Sequence, residues 1–251
     1  MLKIENLTVG YGNLPVLCDL SLEIEAGVLT SIVGVNGCGK STLLKSAIGI
    51  TPRSGGRITV DGRDTAKMSR REIAKRIAYL AQGEDTPDMT VGQLVLHGRF
   101  AHRGYGQRYS DRDREIARRA IETVGLGELC DRPLATLSGG LKQSAYIAMA
   151  IAQDTDYVLL DEPTTYLDIS HQGELMALLR RLADGGKGVA AVMHDLPLAL
   201  NYSDRIAVID GGRVGFIGSA DEVWRSEILG EVFGARIMRD GDGEFYIGRL
   251  K

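Results

Sequence analysis

The sequence predicts an α/β fold with a mixed sheet core, a small antiparallel β subdomain and a helical subdomain. Three observations carry that expectation. Residues 29–33, 158–160 and 189–193 are short, continuous apolar runs, the pattern of strands buried on both faces, and each leads straight into a polar cluster at its carboxyl end. Segments near the start alternate apolar and polar residues instead, as strands with one wet face do. Between about 88 and 155 the spacing turns helical, so this stretch reads as an insertion between strands of the sheet.

Composition sets the outer limits. The chain has 251 residues, 44% of them hydrophobic and 25% charged, enough for a large core with a smaller subdomain attached. A net charge of −3 gives no global attraction to nucleic acid or to an anionic membrane, so no nucleic-acid partner is expected. Cys18, Cys38 and Cys130 are too far apart to suggest a disulfide framework or a metal site. The opening Met1-Leu2-Lys3-Ile4-Glu5 lacks a signal-peptide pattern, and no stretch approaches the ~20 apolar residues of a membrane span. A soluble protein of a reducing compartment is the expectation.

Along the chain, Leu2, Ile4, Asn6 and Thr8 alternate with Lys3, Glu5, Leu7 and Val9, which suits a strand. Leu22 and Ile24 between Ser21, Glu23 and Glu25 repeat the pattern, and Ile58-Thr59-Val60-Asp61-Gly62 closes on a turn dipeptide. In the insertion, Ser110-Asp111-Arg112-Asp113 spells an N-cap with an acidic third residue. Ile116, Ala117, Ala120, Ile121 and Val124 then share a helical face, and Gly125 is placed to end the helix. Arg99, Arg103, Arg108, Arg112, Arg114, Arg118 and Arg119, interleaved with Asp111, Asp113 and Glu115, read as a solvated helical face. Residues 203–218 read as further strands around an Asp210-Gly211-Gly212-Arg213 hairpin turn. Asp240-Gly241-Asp242-Gly243 suggests one more hairpin inside a short tail, 236–251.

The first buried strand runs into Gly34-Val35-Asn36-Gly37-Cys38-Gly39-Lys40-Ser41-Thr42, which matches G-x-x-x-x-G-K-[ST]. Glycines let successive backbone N–H groups face phosphate oxygens, and the helix N-terminus that follows favours negative charge. Lys40 is placed to reach the β- and γ-phosphates of ATP, and the Ser41 hydroxyl to ligate Mg²⁺. A thiol beside bound phosphate makes Cys38 an expected target of alkylation, with ATP protecting it. The second buried strand ends in Asp161-Glu162. Strand alternation sends these carboxylates to opposite sides, so Asp161 suits the Mg²⁺ shell and Glu162 suits polarising an attacking water.

This loop, the Leu137-Ser138-Gly139-Gly140 stretch, the acidic strand end and a strand-terminal His194, in that order, resemble the ATP-binding subunit of an ATP-binding cassette (ABC) transporter. The resemblance runs from residue 1 to about 235 and implies a P-loop NTPase fold of the ABC ATPase type in a single domain, 1–251, with 88–155 as its helical subdomain. It implies that Ser138, Gly139 and Gly140 cap the γ-phosphate of an ATP held by a second copy. Two glycines at a helix N-terminus allow that close approach, although Ser138 by itself also reads as a helix cap. It further implies that Tyr11 stacks on adenine, that Gln82 senses Mg²⁺ and water, that Asp168 lies in a loop crossing the dimer interface, and that His194 contacts the γ-phosphate. The family commonly has Gln at the fifth position of the signature, and this chain has Leu141.

The subclass is resemblance as well. Residues 89–99, Met-Thr-Val-Gly-Gln-Leu-Val-Leu-His-Gly-Arg, resemble a stretch of importers for iron–siderophore complexes, haem and vitamin B12, as do 148–154, 167–172 and 194–205. An ATPase of an iron–siderophore importer is the first expectation; a cobalamin, haem or divalent-metal importer is the alternative. The implied partners are transmembrane permease subunits, docked near Gln82 and the helical insertion, a second copy of the chain, and indirectly a periplasmic or surface binding protein. The implied place is the cytoplasmic face of the membrane. A soluble ABC ATPase of translation or DNA repair would usually carry two cassettes or long coiled-coil insertions, which the chain lacks. A regulatory module that does not hydrolyse ATP sits poorly with intact Lys40, Asp161, Glu162 and His194.

Overall fold

Burial on one or both faces sorts the strands into two main sheets. The computed structural model describes residues 1–12, 14–83, 86–104, 106–165 and 167–248. In chain order, β1 (Leu2–Tyr11), β2 (Leu14–Ile24) and β3 (Leu29–Gly34) precede α1 (Lys40–Ala47), β4 (Gly55–Val60), β5 (Arg63–Asp64), α2 (Arg70–Ala74) and β6 (Ile77–Leu80). Then follow α3 (Val91–His97), α4 (Asp111–Thr123), α5 (Gly139–Ala152), β7 (Tyr157–Asp161), α6 (Ile169–Asp184), β8 (Gly188–Val192) and α7 (Leu196–Tyr202). The last elements are β9 (Arg205–Asp210), β10 (Arg213–Gly218), α8 (Ala220–Arg225), α9 (Ile228–Phe233), β11 (Ile237–Arg239) and β12 (Phe245–Ile247).

The six-stranded sheet has the order β10-β9-β3-β8-β7-β6, parallel except for β10, which runs antiparallel to β9. Its inner strands serve two cores at once. Val158, Leu160, Val189 and Ala191 join the helices on one side. Tyr157, Leu159, Ala190 and Val192 face the other side, toward the antiparallel sheet and α1. That is why these strands read as continuous apolar runs. The antiparallel sheet, β2-β1-β4-β5, closes its β4–β5 hairpin at Asp61 (φ 49°) and Gly62 (φ 78°), the two positive-φ residues of a type I′ turn.

The opening alternation does not hold across β1. Leu2, Ile4, Leu7 and Val9 are the buried residues, because the register slips between Ile4 and Leu7. Asn6 (φ 49°) bulges out at the slip, its N–H donating to Ser21 Oγ at 2.9 Å and its amide nitrogen to Asp19 Oδ1 at 2.8 Å. A bulge moves the following residues to the other face, so the core stays apolar.

Between β6 and β7 lie three of the helices. Ser110 caps α4 in a box with Asp113, as its sequence predicts, and Thr90 with Gln93 does the same for α3. The arginine cluster divides. Arg118 and Arg119 pair with Glu115 on the exposed face of α4, but Arg99 is buried. Arg99 Nε donates to Asp113 Oδ1 at 3.0 Å and Nη1 to the Ala152 carbonyl at 3.0 Å, so it caps the carboxyl end of α5 and bolts it to α4. The expectation of a solvated face is wrong for this residue. In the tail, β11 and β12 form the expected hairpin. It is held to α7 by Asn201, whose amide donates to the Phe245 carbonyl at 3.0 Å and accepts the Phe245 N–H at 2.8 Å. Residues 249–251 of that tail lie outside the described residues.

Candidate functional site at the carboxyl edge of the sheet

Strands β3, β8 and β7 are neighbours, and each delivers its polar cluster to the same sheet edge, where ligands of parallel α/β sheets bind. Loop 35–39 leaves β3 and enters α1 at Lys40. Gly37 (φ 81°) and Gly39 (φ 102°) take backbone angles that side chains resist. The Lys40 ammonium is buried under the loop and donates to the carbonyls of Gly34 at 2.7 Å and Val35 at 3.1 Å. Gly37, Gly39 and Lys40, with Tyr11, Val16, Asn36, Ser41, Thr42, Glu162 and His194, line a cavity of about 480 Å³. Tyr11 is exposed at its rim. The Thr42 hydroxyl, and after it that of Thr51, holds the phenol's pKa below the ordinary tyrosine value.

Cys38 departs from expectation. Its side chain is 8% exposed and joins the apolar core beneath the loop, and burial pushes the thiol pKa up against the opposing pull of Lys40. A buried, protonated thiol is a poor nucleophile. The folded protein should therefore resist iodoacetamide at Cys38, with or without ATP, and label only when unfolded. Rapid labelling of the folded chain, read by mass spectrometry, would place the sulfur in the cavity instead.

At the end of β7 the two carboxylates take different partners. Ser41 Oγ donates to Asp161 Oδ1 at 2.9 Å, and the Tyr79 phenol donates to Oδ2 at 3.2 Å. Glu162 has a left-handed backbone (φ 52°), so a turn rather than strand alternation parts it from Asp161. Gln82 Nε2 donates to Glu162 Oε2 at 2.5 Å, and His194 Nε2 lies 2.5 Å from Oε1. Residues from the ends of β6, β7 and β8 thus meet on one carboxylate.

Ser138, Gly139, Gly140 and Asp168 do not line this cavity. Ser138 caps α5, its Oγ accepting the Leu141 N–H at 3.4 Å, and Gly139 begins the helix. Leu141 is half-buried against the helical core. Because its side chain serves packing, Leu141→Gln should change the ATPase rate less than tenfold, under ~1.4 kcal/mol of barrier; a hundredfold loss in steady-state phosphate release would assign it to the site. Asp168 caps α6, and its Oδ1 accepts from Ser170 Oγ at 2.9 Å and faces His171 Nδ1 at 2.7 Å. The His171 N–H above all, then its ring, holds the Asp168 carboxyl down at about 2. Tyr166, in the same loop, lies outside the described residues.

Sequence reasoning missed four contributors. Val16 lines the cavity, Tyr79 holds Asp161, Thr165 Oγ1 donates to Glu162 Oε2 at 3.4 Å, and Gln143 Nε2 donates to the Pro163 carbonyl at 3.1 Å. Gln143 is the informative case: one turn into α5, it ties the helix that carries Ser138 to the turn that carries Glu162.

The ABC transporter family model matches residues 17–165. The iron(3+)-hydroxamate import ATP-binding protein FhuC of Bacillus subtilis (strain 168) is 42% identical over 92% of this chain and 87% of its own length. The ferric enterobactin transport ATP-binding protein FepC of Escherichia coli (strain K12) is 41% identical over 94% and 88%. Among solved structures, cbiO1 from Clostridium perfringens, part of the ABC transporter complex cbiONQ, superposes with a TM-score of 0.79 at 28% identity, covering 92% of this chain and 93% of that one. A nucleotide-free ATP-binding cassette from an ABC transporter, 23% identical, gives a TM-score of 0.84 over 92% and 96%, a likeness of fold. A phosphate loop, an acidic strand end and a histidine brought to one sheet edge agree with these likenesses: the chain belongs to the ABC transporter family.

Proposed function

We propose that the chain is the ATP-hydrolysing subunit of an ABC importer, and that the cargo is an iron–siderophore complex. The observation that carries the activity is the meeting of Glu162, His194 and Gln82 beside a phosphate loop. The cargo reading rests on the iron(3+)-hydroxamate and ferric enterobactin relatives.

In this reading Tyr11 stacks on adenine, and the N–H groups of residues 34–42 and the start of α1 hold the phosphates. Lys40 exchanges its two carbonyl partners for the β- and γ-phosphate oxygens. Mg²⁺ fits the donors present: the Asp161 carboxylate and the Ser41 hydroxyl are hard oxygen ligands side by side. Among the described residues there is no group of three His, Cys, Asp or Glu that could hold a metal, so Asp161 and Ser41 would hold Mg²⁺ together with oxygens of the nucleotide and water. Bound there it would neutralise phosphate charge. Glu162 takes the proton of a water whose oxygen bonds to the γ-phosphorus as the bond to the β–γ bridging oxygen breaks, giving ADP and phosphate. His194 and Gln82 orient Glu162.

A second copy completes each site. Its Ser138, Gly139 and Gly140 cap the γ-phosphate, and the Asp168 loop lies at the interface between copies. Closure of the two copies draws together transmembrane permease subunits docked near Gln82 and the helical insertion. The subunit thus works at the cytoplasmic face of the membrane, with a periplasmic or surface binding protein delivering cargo.

The test is uptake of labelled ferric siderophore by cells lacking the gene, complemented with wild type or with Glu162→Gln. Uptake lost and restored only by wild type is expected. Full ferric-siderophore uptake without the gene, together with loss of cobalamin, haem or zinc uptake, would overturn the cargo and leave the ATPase chemistry standing. Zinc belongs in that panel because a zinc transport system ATP-binding protein, TroB of Treponema pallidum (strain Nichols), is 36% identical over 94% of the chain.

A further inference from the structure

Asp161 receives a hydroxyl donor on each carboxylate oxygen, and only one of them comes from the phosphate loop. Ser41 supplies the first. The second is Tyr79, the third residue of β6, paired with Leu159 of the neighbouring β7. Its ring packs half-buried against the core beneath the antiparallel sheet, and its phenol reaches Oδ2 of Asp161 at 3.2 Å. The terminal torsion of an aspartate is soft and roughly two-fold, so a single donor would leave the carboxylate plane free to swing. Two donors on opposite oxygens fix it. Gln82 follows two residues beyond the end of that strand, so one strand and the segment leaving it present a side chain to each of the two carboxylates, Asp161 and Glu162.

We propose that Tyr79 is a positioning residue for Asp161: it sets the plane of the carboxylate that receives Mg²⁺ and thereby strengthens metal-dependent nucleotide binding. The proposal rests on the assignment of Asp161 to the metal shell. Partners one layer out from a metal ligand commonly influence metal affinity by roughly 10–100-fold, and a tyrosine held by packing on one side and by the ligand on the other fits that role.

The experiment measures ATP binding to the full chain by calorimetry, in EDTA and across a Mg²⁺ titration, for wild type, Tyr79→Phe, Tyr79→Leu and Asp161→Asn. Tyr79→Phe keeps the ring and its packing. It should bind ATP as wild type does in EDTA yet need roughly tenfold more Mg²⁺ for the same gain in affinity. Tyr79→Leu should show the same Mg²⁺ shift with lower thermal stability, and Asp161→Asn should lose most of the Mg²⁺ dependence. Equal Mg²⁺ dependence in wild type and Tyr79→Phe, with Asp161→Asn still impaired, would overturn the role of Tyr79 alone. Wild-type binding that ignores Mg²⁺ would overturn the metal-shell reading of Asp161, and the proposal with it. Equal loss of affinity with and without the metal would make Tyr79 a packing residue and also overturn the proposal.

Discussion

Glu162→Gln is expected to cut ATP turnover at least ~10²-fold while leaving ATP bound. The substitution keeps the length and shape of the side chain, and its amide oxygen can still accept the hydrogen bond that Gln82 donates to the carboxylate. The left-handed backbone at this position burdens Gln and Glu alike, so the fold should be indifferent. What is lost is the capacity to take a proton from water. Phosphate release and size-exclusion in ATP are the measurements, and a nucleotide-loaded dimer should accumulate. Turnover within tenfold of wild type would remove Glu162 from the role of general base.

Gly39→Ala should damage the site from beneath. An added Cβ would stand 2.5 Å from Leu17 Cδ2 and 3.1 Å from Val16 Cγ1, at a φ of 102° that disfavours any side chain. Strain and overpacking together should cost about 2–4 kcal/mol of stability, and the displaced loop should lose at least tenfold in ATP affinity. Gly37→Ala is the control. Its φ is also positive, but a Cβ there meets nothing within 4 Å, so only a backbone cost of about 1–2 kcal/mol is expected. Denaturant unfolding and nucleotide titration of the two variants separate the effects. Equal stability of both would mean that β2 does not press on the loop.

The sequence discloses most readily what is local. Strands β3, β7 and β8 are legible because each is apolar on both faces, and the Ser110 cap because its partner stands three residues away. The β1 bulge was visible in outline, since Leu7 and Val9 break the parity of Leu2 and Ile4, but a uniform alternation hid it. Arg99, Cys38, Tyr79 and Gln143 were misread or missed for a common reason: each is defined by a neighbour distant in sequence. Arg99 meets the end of α5, Cys38 the core below its loop, Tyr79 the end of β7, and Gln143 the turn after β7. Composition around Arg99 looks like a wet helical face, and no local spacing distinguishes it from Arg118. The phosphate loop, Asp161 and Glu162 were readable because their chemistry demands fixed residue types at fixed intervals.

The order of the large sheet bears on how the chain comes to exist. The strand that feeds the phosphate loop lies between β8 and β9, with Leu29 beside Val189 and Thr30 beside Arg205. None of the intervening strands pairs with it. As the chain emerges from the ribosome, this apolar strand must wait, unpaired, for most of the polypeptide to be made, and closing so long a loop is slow compared with forming helices. Until then it is an adhesive segment that chaperones would have to shield. A nascent chain therefore holds a complete phosphate-binding motif long before it holds a phosphate-binding site, and nucleotide can stabilise the subunit only after β8 and β9 have arrived.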